Sequence, residues 1–218
     1  MTDEKLAGRY QQSSAGYSGI TLTGRPHERE ANEEDAERHN IPPGYNLEHW
    51  DPNEKPIILL GTVFDCNSLG KWIFDFTVHK YGPQAPMSQV AGDLWLVLIQ
   101  FYGNIKKTEE YIDWNKGCRN PSLLKALDML EEFIYDGKSL RKRLDRLLEK
   151  CEEPMLRTDL LNTGRLGKEA GLVFVETLLG REQLLEETEE LKESIRHWIH
   201  DWDEECAGTI NPRREANR

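Results

Sequence analysis

The residues of this chain most able to do chemistry lie near its C-terminal end, in the segment ESIRHWIHDWDEEC. Glu193, His197, His200, Asp201 and Glu204 follow a helical spacing that places all five on one face. Neutral imidazoles and carboxylates on successive turns are the donor set by which helical bundles bind divalent metals. The same spacing also describes a solvated face laced with intrahelical pairs. Trp198 and Trp202 claim the apolar seam of this helix, and no partner helix carries an E-x-x-H, so the solvated face is the expectation.

A second group comprises Asp65, Asp75, His79 and Asp93. Asp75 and His79 are i, i+4 neighbours, and they form an acid–base pair if a pocket lies beside them. Asp93 falls in the most apolar helix of the chain, where burial would raise its pKa. The alternative is an ordinary pair with Lys71. Gly70-Lys71 lacks the spacing of a phosphate-binding loop, and Trp72 stands where such a loop needs a hydroxyl. No Ser or Cys sits in a nucleophile motif.

These groups need elements to position them. The densest apolar run, Pro56 to Lys107, is predicted to hold two helices. In the first, Pro56 opens a turn over Ile57–Phe64, the one run whose pattern also admits a strand, Asn67 or Ser68 caps the helix proper, and Leu69, Trp72, Ile73 and Phe76 form its apolar face. Gly82-Pro83 ends it. The second runs from Pro86 to about Tyr111 and is apolar nearly all round, as expected of a central helix. A third runs from Ser122 to about Cys151, closed by Pro154, with Gly137 on its seam. Short helices punctuated by glycine are expected over 155–180. The last helix spans about Arg181 to Cys206, with Leu184, Thr188, Leu191, Ile195, Trp198 and Trp202 as its seam, and stops at Gly208.

The predicted fold class is all-α, a bundle of four to five helices with a disordered or irregular N-terminal arm. Residues 1–44 read as an acidic arm, 45–207 as the bundle, with 45–56 as an irregular strap, and 208–218 as a basic tail. EREANEEDAE reads as a solvated tail, with a short helix as the alternative.

Composition narrows the function classes. The chain has 218 residues, 31% charged, and a net charge of −11. That sign argues against a nucleic-acid surface and against adsorption to anionic membranes. The four cysteines are scattered, with no C-x-x-C pair and no export signal, so free thiols in a cytosolic protein are expected.

The phrases GYNLEHWDP, ILLGTVFDCNSLGKWIFDFTV and AGDLWLVLIQF, between Tyr45 and about Lys107, resemble a family of uncharacterised fungal proteins, some of them labelled vegetative cell wall protein. The resemblance covers the middle third of the chain and, more loosely, the third helix. It implies a fungal source and a single folded unit, and it carries no activity, cofactor or catalytic residue with it.

The function expected from the residues is a non-enzymatic helical interaction module, cytosolic and without cofactor, binding a protein partner or a second copy of itself. The alternative is a small-molecule-binding or metal-assisted enzyme, with its pocket between the first two helices, under the Tyr45–Trp50 strap, or at the last helix.

Overall fold

The computed structural model describes residues 29–156 and 168–211. Among them are seven helices and one small sheet, and five long helices build the bundle. The first 28 residues, the 157–167 segment and the last seven residues lie outside the described residues, and with them most of the predicted arm and basic tail.

Part of the segment read as a solvated arm is folded. Helix α1, Glu33–Arg38, is held by a reciprocal capping box. The Asp35 backbone N–H donates to Asn32 Oδ1 at 3.1 Å, and the Asn32 N–H donates to Asp35 Oδ2 at 3.0 Å. The helix leans on a small satellite core in which Ile41, Trp50 and Val63 are buried, with Ala31, Ala36, Tyr45 and Leu47 packed around them.

The strap contains a strand, β1 (Asn46–His49). Strands β2 (Ile57–Leu59) and β3 (Thr62–Phe64) form an antiparallel hairpin with Ile57 opposite Phe64 and Leu59 opposite Thr62. β1 pairs in parallel with β3, giving the order β1-β3-β2. The expectation of a helical turn over Ile57–Phe64 is therefore corrected. The run is rich in β-branched residues, and Leu60 and Gly61 both have positive φ, 45° and 74°, as a two-residue hairpin turn requires.

Helix α2 spans Cys66–Tyr81, α3 Pro86–Asn115, α4 Pro121–Leu156, α5 Lys168–Leu179, α6 Leu185–Glu205 and α7 Ala207–Ile210. Several boundaries differ from the sequence reading. α3 runs four residues beyond Tyr111. Pro154 lies inside α4 rather than beyond it, and burial of Met155 holds that last turn against the missing backbone bond. α6 begins at Leu185, after a turn in which the Leu184 N–H donates to the Thr177 carbonyl. Gly208 does not stop the chain's helical course but sits within α7.

α3 is central: α2, α4, α6 and α7 all pack on it. Close approach rests on glycine at the crossings. A Cβ on Gly70 would strike the Trp95 ring, and one on Gly137 would sit 3.2 Å from both Ile105 Cδ1 and Trp198 Cζ2. The α6 seam is buried as its spacing predicts. Trp198 packs edge-on to Phe101 at 5.1 Å and donates from Nε1 to the Phe133 carbonyl at 3.1 Å. Trp202 donates to Thr108 Oγ1 at 2.8 Å, and Thr108 in turn donates to the Asn104 carbonyl. Both buried indole donors are thereby satisfied.

Candidate functional site

The structure separates the residues singled out from sequence. Asp65 is buried as the N-cap of α2: it accepts from the Ser68 backbone N–H at 2.7 Å and from the Ser68 hydroxyl at 2.9 Å. The cap thus lies two residues before Asn67 and three before Ser68, because the chain leaves β3 at Phe64 and Asp65 is the last extended residue before the helix. Asp75 is exposed and paired with Lys71, and His79 is exposed on the same helix. Asp93 is not buried. It lies at the edge of α3 next to α6, and Arg196, rather than Lys71, pairs with it at 3.4 Å. Near-continuous apolarity along α3 hides this edge from sequence reading.

On α6, Glu193, His197, His200, Asp201 and Glu204 all face outward. They form pairs and no convergent set. His197 Nδ1 stands 2.8 Å from the Glu193 carbonyl oxygen, and His200 Nε2 stands 3.6 Å from Glu204 Oε1. Among the described residues, no group of three or more His, Cys, Asp or Glu side chains is arranged to hold a metal ion. Glu193 and His197 line an open groove of about 600 Å³ with Arg143, Glu186, Glu189 and Glu190.

Sequence reasoning missed the buried ionisable groups. Burial raises the Glu54 carboxyl, which accepts from the Cys66 thiol at 3.3 Å, and burial together with Glu54 pushes the Cys66 thiol well up. That thiol is protonated and unsuited to nucleophilic attack. Burial likewise raises the neighbouring Tyr102 hydroxyl, which has no hydrogen-bond partner among the described residues, while the Arg141 guanidinium lies 5.4 Å from its ring centre. Arg141 also donates to the Pro56 carbonyl at 3.3 Å. The cluster ties the loop before β2 to α2 and α4. On α4, burial raises the Glu152 carboxyl to about 7, and the Leu60 backbone N–H at the hairpin tip opposes that rise. None of these groups carries a local sequence signature.

Sequence reasoning also missed the outer face of α3. Leu96, Gln100, Gly103, Lys107, Glu110 and Trp114 follow a four-three-four-three-four spacing, so they form one stripe along the helix. The stripe faces solvent: Leu96 is 50% exposed and Trp114 is 90% exposed. Between them Gly103 leaves a gap, since a Cβ there would meet no atom within 4 Å. The stripe thus carries an exposed Leu at one end, an exposed Trp at the other and open backbone at Gly103 between them.

Comparison with protein-family models, curated proteins and solved structures yields no match to this chain.

Proposed function

We propose that this chain is a non-enzymatic protein-interaction module that docks another protein chain through the outer face of α3. The observation that carries this reading is the stripe from Leu96 to Trp114, with its two exposed apolar side chains around Gly103. Water-exposed tryptophan is unfavourable, and tryptophan is the residue type most enriched among the anchors of protein interfaces. Glycine in an exposed helix interior lowers helix stability by about 1 kcal/mol relative to alanine, a cost that close approach of a partner backbone offsets.

The commitments of the other candidates support the same reading. Asp65 caps α2, Asp75 pairs with Lys71, Asp93 with Arg196, and His200 with Glu204. A cytosolic setting is supported by the four free cysteines, three of them buried. Membership of the fungal family belongs to the same proposal and rests on the phrases between Tyr45 and Lys107.

The test is size-exclusion chromatography of the full chain, loaded at about 100 μM in an extract of its source organism. The wild type is expected to elute ahead of its own 25.3 kDa mass. The Leu96→Ser/Trp114→Ser variant, folded by circular dichroism, is expected at the monomer position. Coelution of both at the monomer position refutes the proposal.

A further inference from the structure

The positions of the α3 stripe are evenly spaced either side of Ile105, and the geometry points to a second copy of this chain as its occupant, paired antiparallel to the first. This rests on the α3 face being the docking surface and adds which partner fits it. Leu96 and Trp114 lie nine residues either side of Ile105, Gln100 and Glu110 five, Gly103 and Lys107 two. A twofold axis crossing α3 at the level of Ile105 therefore sets Leu96 of one copy against Trp114 of the other, twice. It sets Gln100 against Glu110, an amide donor against a carboxylate acceptor, also twice. Gly103 takes the Lys107 stem of the opposing helix, and the missing Cβ lets the two backbones approach there. Such self-complementarity is what an isologous interface demands.

The charges at the two ends match as well. Asp93, paired with Arg196, marks one end of the stripe, and Lys116, paired with Asp113, lies just past Trp114 at the other. Antiparallel pairing brings Asp93 of one copy to the level of Lys116 of the second. The signs then alternate along Arg196, Asp93, Lys116 and Asp113. Parallel pairing would instead stack Asp93 on Asp93 and Lys116 on Lys116.

The stripe is about 27 Å long at about 1.5 Å of rise per residue, on a helix about 10 Å across. That footprint is small beside the roughly 1,200–2,000 Å² total of stable complexes. Pairing on so small a footprint is accordingly weak and reversible.

Disulfide trapping of the purified full chain tests this, with Cys118→Ser as background to remove the half-exposed thiol. Gln100→Cys and Glu110→Cys retain Leu96 and Trp114. Under mild oxidation at about 100 μM, the mixture of the two variants should form a covalent dimer. Each variant alone should form at least tenfold less, because antiparallel pairing holds like positions about 15 Å apart. Adding Gly103→Lys to both should reduce the mixed dimer at least tenfold while leaving the circular dichroism spectrum unchanged. Covalent dimers of each variant alone would show parallel pairing and overturn the inference, as would no dimer from the mixture. If trapping fails while the source extract still shows a larger species that Leu96→Ser/Trp114→Ser abolishes, the face docks a different protein. The second-copy assignment then falls and the docking reading stands.

Discussion

Replacing Glu152 with glutamine should make the protein more stable above neutral pH and leave it unchanged in acid. The carboxyl is lifted from its ordinary 4.5 to about 7, first by burial, then by Glu149 nearby, against the stabilising Leu60 N–H. Its folded pKa therefore lies above its unfolded one. Below about 4.5 both states carry the proton and the group contributes nothing. As pH rises from about 4.5 to 7, the folded state holds a proton that the unfolded state has released, so stability falls across that window and stays reduced above it. At about 1.4 kcal/mol per tenfold, full burial would give a penalty of roughly 3 kcal/mol; solvent reaching the partly exposed carboxyl screens it to ~1–2 kcal/mol. Glutamine keeps an acceptor for Leu60 and removes the charge. Urea unfolding of both proteins at pH 5 and pH 8 reads the difference directly, since every other titrating group cancels between them. The expected result is a glutamine variant ~1–2 kcal/mol more stable at pH 8 and only a few tenths of that apart at pH 5, where wild-type Glu152 is already largely protonated. A variant less stable at pH 8 would show that the bond to Leu60 outweighs burial, and the reasoning would fail.

Three further outcomes follow from the packing. Gly103→Ala, on an open helical surface, should raise stability by ~0.5–1 kcal/mol, or about 1–4 °C in Tm, in a thermal scan of dilute protein; a loss would mean the position is already in contact. Gly70→Ala should do the opposite, lowering stability by ~1–3 kcal/mol in urea unfolding, because the new methyl meets the Trp95 ring and the backbone of α3 beneath it. Asp65→Ala should cost ~1–2 kcal/mol through loss of the α2 cap, whereas Asp65→Asn, which keeps the acceptor, should cost only a few tenths; equal losses would mean the charge matters and not the cap.

The long helices were legible because their seams repeat. Leu191, Ile195, Trp198 and Trp202 announce the buried face of α6, and Gly137 on the α4 seam marks a close crossing. Shorter features escaped. Ile57–Phe64 is a brief apolar run whose period does not separate helix from strand, and its deciding feature, positive φ at Leu60 and Gly61, belongs to the folded backbone. The α1 box was written in Asn32 and Asp35 but drowned in surrounding charge. For the candidate sites the difficulty was different. Spacing shows which residues share a face and leaves open what covers it. Asp93 pairs as an ordinary surface carboxylate does, though with Arg196 and not Lys71, while Leu96 and Trp114, which the spacing left without a role, face water. The Glu54–Cys66 contact joins residues from separate elements, and only the packed fold reveals it.

The account stands or falls on the outer face of α3 being a docking surface, and site-specific photo-cross-linking tests that most directly. A benzophenone side chain at Gln100, mid-stripe on α3, is compared with one at Glu189, exposed on α6. The account predicts a discrete adduct from position 100 that disappears when Leu96 and Trp114 are both changed to serine, and none from position 189. Equal labelling from the two positions, or an adduct from position 100 that survives loss of Leu96 and Trp114, would contradict it.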